Sequence, residues 1–464
     1  MKSIIISAAI LSSVAANSRG FDHHESSPVV LHGNETAVNV GRALPTNNLV
    51  GFWHNFKNPS GNTYPLSQIS NEWDVINVAF ADHLGQGKLA FNLDVNAGTE
   101  VQFIADIKAL KAKGKIVALS LGGQDGTVSL NDATELANFV TTLYDIITKF
   151  GFDGVDIDLE HGVYIGAPII NNLISAMKQL RQKVGPTFYL SMAPEHPNVQ
   201  GGYASFGGIW GAYLPLVDGL REELTQLHPQ YYNNGGFMYV DNKILNEGTV
   251  DGLVGGSLML IEGFKTNYGN GWEFRGLRPD QVSFGVPSGP KSAGRGQATP
   301  EVIRRALTCL AQGVGCDTVK PKQPYPTFRG VMTWSINWDR FDNFAFSKPV
   351  RAALDSLGGA VPPPPPATST VTPSAVPTTT RAQTAAPTPS TSSATSVAPT
   401  SAPTPSPSAS APTTAPSSVA PVTTASSKVC GKCTNCYYQP TDACFAGWNA
   451  QQCASVASFT WCGN

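Results

Sequence analysis

Between residues 47 and 358 short apolar runs recur, separated by stretches long enough to form a helix. Eight of these runs have the length and composition of strands: 49–54, 74–81, 115–121, 153–160, 188–194, 224–232, 281–287 and 329–336. In several of the gaps the apolar positions return with helical spacing, over Glu100–Lys113, Ala133–Lys149, Ile169–Lys183 and Pro300–Gln312. Strand and helix alternating in this way predict an α/β fold with a parallel sheet wrapped by helices. Eight repeats predict a closed (β/α)8 TIM barrel, whose usual length of about 250 residues plus loop insertions suits the span. Active sites of such barrels lie at the C-terminal ends of the strands. Glu160, Glu195, Tyr232 and Trp334 fall there.

The fourth run carries the strongest chemical signal. Val155, Ile157 and Leu159 alternate with Asp156, Asp158 and Glu160, so on a strand one face is aliphatic and the other holds three carboxylates. Neighbouring acids sit roughly 6.6 Å apart, at about 3.3 Å per residue. Buried charges are costly unless paired or titrated, so the acidic face must line a wet cavity that uses it. At least one acid of the set must titrate upward, and the proton belongs to the group as a whole. Glu160 ends the run and reaches furthest. An acid held protonated near neutral pH is what cleavage of a glycosidic bond requires. Two rival readings are a solvated edge strand, which the flanking Val, Ile and Leu oppose, and a divalent-metal site. The second lacks further ligands, since His161 falls on the aliphatic face. No metal or cofactor is therefore expected. Asp153 is out of phase with the trio, and reads equally as a turn residue or a functional one.

Asp153-x-x-Asp156-x-Asp158-x-Glu160 resembles the DxxDxDxE signature of glycoside hydrolase family 18, the chitinases. Ser120-Leu121-Gly122-Gly123 is similar to the family's SxGG strand end. Met192-Ala193-Pro194-Glu195, Gln230-Tyr231-Tyr232-Asn233 and Val331-Met332-Thr333-Trp334-Ser335 resemble three later strand ends. The likeness covers residues 47 to 355 and is closest to the bacterial-type branch. It implies a retaining hydrolase in which the substrate's own 2-acetamido oxygen is the nucleophile. Carried onto this chain, it makes Glu160 the acid and later the base, and Asp158 the group that orients the acetamido. Asp156 shares a proton with Asp158, and Tyr232, not Tyr231, hydrogen-bonds the acetamido. Trp334 becomes the floor beneath the sugar, with Phe52, Phe80, Met192, Gln230 and Asn233 as walls. His54, His161, His196 and His228 are expected at the surface or rim. The short connection between the seventh and eighth strands lacks the α+β insertion that deepens the cleft in some relatives. An open groove and internal (endo) cutting of chitin follow. Competing readings are an endo-β-N-acetylglucosaminidase acting on N-glycan cores and a non-catalytic chitin-binding lectin, which the presence of Glu160 opposes.

Composition adds compartment and accessories. The formal charge of -2 and pI near 6.4 exclude an electrostatic case for nucleic acid or an anionic membrane. Chitin and its oligosaccharides are the expected partners, met by a monomer. Lys2, the apolar stretch Ile4–Val14 and the small residues Val14-Ala15-Ala16 read as a cleaved signal peptide over 1–16, hence a secreted, extracellular protein. Residues 17–46 lack periodicity and read as a disordered lead, with a glycosylation sequon at Asn34. Residues 359–428 are rich in Pro, Ser and Thr, and read as an extended linker. Cys430, Cys433, Cys436, Cys444, Cys453 and Cys462 make 429–464 a small disulfide module of undetermined pairing. Its density of aromatics suggests exposed faces that bind sugar rings. Cys309 and Cys316 are close enough for a local structural disulfide.

Overall fold

The computed structural model describes residues 44–358, apart from Phe206 and Asn270, together with scattered positions between 430 and 463. The leader, the sequon at Asn34, the linker and most of the cysteine module lie outside the described residues. Eight parallel strands follow one another around a barrel: β1 (Asn48–His54), β2 (Val75–His83), β3 (Ile116–Gly122), β4 (Gly154–Asp158), β5 (Tyr189–Met192), β6 (Gln226–Leu227), β7 (Ser283–Pro287) and β8 (Gly330–Trp334). β8 pairs back onto β1, Asn48 opposite Gly330. The last seam, between β6 and β7, is closed by the single bridges Leu227↔Val282 and Gln230↔Gly285. Pro229 sits in that seam and has no N–H to offer, which accounts for β6 being shorter than the apolar run predicted.

The helices expected from periodicity are present: α1 (Glu100–Ala112), α2 (Ala133–Phe150), α3 (Pro168–Val184) and, later, Pro300–Gln312. Their ends obey local chemistry. Asp132 caps α2 by accepting from the N–H groups of Thr134 and Glu135, and Gly151 ends it at φ 78°. Further helices form at Leu214–Gly219, Val250–Glu262 and Ser347–Asp355. Val250–Glu262 is buried almost all round, so it has no polar face to set a period. A Cβ on Gly256 would stand 2.4 Å from the Tyr231 ring, and one on Gly255 would stand 2.2 Å from Leu245. These glycines let the helix press against the barrel.

Strand side chains divide between two apolar layers. Leu119, Leu121, Val155, Ile157 and Leu190 pack outward under the helices, whereas Val50, Phe52, Ala79, Ala118, Tyr189 and Met332 fill the interior. The N-terminal end of the barrel is plugged by polar groups: Gln226 donates to Asn48 and to Ser283, at 3.0 and 2.8 Å. Function is left to the opposite end. The connection from Pro287 to Gly330 holds the one helix Pro300–Gln312 and no strand, and its first residues reach the rim, where Gly294 N–H donates to Asn233 Oδ1 at 2.9 Å. Cys309, in the last turn of that helix, is bonded to Cys316 just past it, as expected. Among the described residues, no helix is long and apolar enough to cross a membrane. In the C-terminal segment Cys430 is bonded to Cys462, and Cys436–Tyr438 pairs antiparallel with Ala443–Phe445 and with Thr460–Trp461.

Candidate active site

The three acids of the alternating run stand where a strand must put them. Asp156 and Asp158 point into the barrel from β4, and both are buried. Glu160 lies just beyond the strand end, partly exposed at the rim. Asp156 is deepest. Its Oδ2 accepts from Ser120 Oγ at 2.8 Å, and its Oδ1 accepts from Ser191 Oγ at 2.6 Å and meets His228 Nε2 at 3.0 Å. One level up, the Gln230 amide nitrogen donates to Asp158 Oδ1 at 2.8 Å, to Glu160 Oε1 at 3.1 Å and to the Ala193 carbonyl at 3.0 Å. A single side chain thus ties the two upper carboxyls together.

Electrostatics follow from the burial. Desolvation, then the charges of Glu160 and Asp156, push the Asp158 carboxyl well above its ordinary range, against the Gln230 hydrogen bond. Glu160 is pushed up to about 8 by burial first and the Glu195 charge second. Glu195 is itself raised by burial, while Asn234 donates to its Oε1 at 2.7 Å. Burial, then the field of Asp158, Glu160, Glu195 and Asp156, pushes the Tyr232 phenol well up. Tyr231 turns the other way, its hydroxyl accepting from Gln200 outside the barrel.

The backbone around the acids is fixed with equal care. The Tyr213 hydroxyl accepts from Leu159 N–H and donates to Leu159 C=O, both at 2.9 Å. The residue between Asp158 and Glu160 is therefore held on both sides. Gly123 N–H donates to the Asp158 carbonyl at 2.7 Å. A Cβ on Gly122 would stand 2.3 Å from that carbonyl oxygen, and one on Gly123 would stand 2.5 Å from the Phe80 ring. The two glycines of the Ser120–Gly123 stretch exist to let these groups approach. Asp153 is a structural anchor: it accepts from Val117 N–H and pairs with Lys111, each at 2.9 Å.

An aromatic floor lies beside the acids. Trp334 and Phe80 stack at 5.9 Å and 14°, both partly exposed. Phe56 extends the surface, stacked 6.4 Å from each of them. It is a site residue that the sequence reading missed, lying in the loop two residues past β1. Phe52 lies inside the barrel 5.7 Å from Trp334, but only 1% of it is exposed. It supports the floor and is not a wall.

Two more expected walls, Met192 and Asn233, also lie elsewhere. Met192 sits opposite Ile157 and packs in the outer, helix-facing layer. Its neighbour Ser191 is the inward residue, and the methionine inside the barrel is Met332. Asn233 is exposed, turned at φ 68°, with its Oδ1 accepting from Gly294 N–H at 2.9 Å. Asn234 is the amide that enters the acid cluster. The histidines also depart from expectation. His54, His196 and His228 are buried, and only His161 is exposed. His54 is sandwiched between Phe56 and Trp334 at 4.8 and 4.5 Å, and burial lowers it to about 3, so it is a neutral ring in the floor. His196 meets Glu247 at 3.0 Å.

Among the described residues no cluster of His, Cys, Asp and Glu is arranged to hold a metal ion. A barrel whose rim sets a protonated carboxyl beside a second buried carboxyl, over an aromatic floor, has the layout of a carboxylate glycoside hydrolase. The match to known proteins makes that class specific. Residues 48–213 match the model of glycosyl hydrolases family 18. The chain is 41% identical over 353 residues to Chitinase Chi52 of Paenibacillus xylanexedens, covering 70% of this chain and 67% of that one. It is 42% identical to Chitinase D of Niallia circulans, covering 67% of this chain and 62% of that relative's length. A family GH18 chitinase structure from Chromobacterium violaceum is 59% identical with a TM-score of 0.67, covering 68% of this chain and 86% of that one. The chain belongs to glycosyl hydrolases family 18 and is a glycoside hydrolase.

Proposed function

We propose that this chain is a secreted, endo-acting chitinase that hydrolyses β-1,4 links between N-acetylglucosamine units with retention of configuration. The observation that carries the reading is the Gln230 amide joining Asp158 to Glu160, at 2.8 and 3.1 Å, in a site dry enough to raise both acids. Glu160, protonated up to about pH 8, gives its proton to the bridging oxygen of the bond that breaks. The substrate's acetamido oxygen attacks the anomeric carbon from the other face and forms an oxazolinium-like ion. Asp158 takes up the positive charge on that amide's N–H, Asp156 shares its proton below, and the Tyr232 hydroxyl orients the amide. Glu160, now ionised, draws a proton from water, which opens the ion and restores the original anomeric configuration.

No second protein carboxylate has to attack the sugar, so the close pair is free to serve one amide. Phe56, Phe80 and Trp334, with His54 buried between two of them, offer a flat face for the pyranose ring. The relatives' names speak for chitin as the polymer, and the plain connection between β7 and β8 speaks for an open groove and internal cutting. Residues 1–16 would direct export, and 429–464, joined through 359–428, would hold the enzyme on the solid. Glu160→Gln is the test: turnover of a soluble chitin oligosaccharide should vanish while adsorption to chitin persists. Turnover near the native rate would remove Glu160 from its role.

A further inference from the structure

His228 is used by nothing in the mechanism above, yet it lies fully buried against the deepest acid. Its backbone N–H donates to the Met192 carbonyl at 2.9 Å, and its ring meets the Phe52 ring edge-on at 6.4 Å. Nε2 lies 3.0 Å from Asp156 Oδ1, while Nδ1 has no hydrogen-bond partner among the described residues. A carboxylate cannot donate, so the tautomer is assigned from its partner: the hydrogen sits on Nε2. Ser191 Oγ reaches the same oxygen at 2.6 Å, and Ser120 Oγ reaches Oδ2 at 2.8 Å.

We propose that His228 is a positioning residue for the reaction, acting through Asp156. A carboxylate offers about four acceptor sites. His228 and Ser191 fill Oδ1, and Ser120 takes one site on Oδ2, so the open place on Asp156 lies on Oδ2. The proton shared with Asp158 is confined there, and the carboxyl cannot turn to present its other oxygen. The remaining titratable groups whose fields meet at Asp156 are Asp158 on the same strand, Tyr189 on β5, Tyr213 and Tyr232. None of them has a hydrogen bond to Oδ1. The inference rests on the proposed roles of Asp156 and Asp158.

The test compares His228→Leu with His228→Gln on a soluble chitin oligosaccharide. Leu fills the space without a donor; Gln restores an N–H of similar reach. The loss of a hydrogen bond to a charged group predicts a fall in kcat of about 10- to 100-fold for His228→Leu. KM should be little changed, and most of kcat should return in His228→Gln. Equal losses in the two variants, a loss confined to KM, or native kcat in His228→Leu would overturn the role. Nitrogen-15 NMR of the unaltered protein decides the matter even if Leu prevents folding. The imidazole should carry its proton on Nε2, and a ring protonated on Nδ1 alone would also overturn it. Failure here, with Glu160→Gln still inactive, removes His228 and leaves the proposed chemistry standing.

Discussion

Replacing Gln230 by Leu removes the one donor shared by the two upper acids while keeping the side chain's bulk. Its amide favours the ionised form of both Asp158 and Glu160, so its loss must raise both further. A hydrogen bond to a charged group is worth roughly 1.5–3 kcal/mol. Divided between two acceptors at 2.8 and 3.1 Å, that is about 1 kcal/mol for each, or somewhat under one pH unit. The alkaline limb of kcat/KM, set by Glu160 near 8, should therefore move upward by about half to one unit. At the optimum kcat should fall about tenfold or more, because Asp158 must carry charge during the reaction without the Gln230 amide. The assay is steady-state hydrolysis of a soluble oligosaccharide from pH 4 to 10. An alkaline limb that stays in place, or moves downward, would refute the account of how Gln230 sets the acids.

Two further outcomes are expected. Tyr213→Phe strips both hydrogen bonds from the Leu159 backbone, leaving a buried N–H and C=O unpaired. Stability should drop by about 2–4 kcal/mol in urea melts, with kcat reduced more than KM; an unchanged midpoint would contradict the clamp. Glu160 also makes stability depend on pH. Its folded-state titration is raised from 4.5 to about 8, so the folded protein keeps a proton that the unfolded chain has lost. Its contribution is present below about pH 4.5 and is lost as pH rises toward 8, by on the order of a few kcal/mol. Glu160→Gln should remove that component, and gain stability relative to the native protein as pH rises from 5 to 8. Parallel curves for the two proteins would contradict the raised titration.

The barrel was legible because each strand must be aliphatic on its helix-facing side, and that demand repeats eight times. The acids were legible for the complementary reason, since three carboxylates at period two cannot be accidental on a buried strand. Parity also contained what was misread. Met192 shares the parity of the outward Ile157 through the β4–β5 register, so it could not face the acids. Beyond a strand end parity fails: the positive φ of Asn233 hands the inward position to Asn234. His54 and His228 were expected at the surface or rim. Their burial depends on partners from distant strands, Trp334 and Asp156, that no local pattern reveals. Val250–Glu262 had no period to find, because its glycines serve contacts with Tyr231 and Leu245 from elsewhere in the chain.

The proposal stands or falls on the substrate's amide being the nucleophile and Glu160 the proton source. Time-resolved proton NMR of the fresh products of a soluble chitin oligosaccharide tests this directly. The new reducing end should appear first as the β anomer and only later equilibrate with α. Initial release of the α anomer would require water to attack in a single displacement, and would contradict the mechanism.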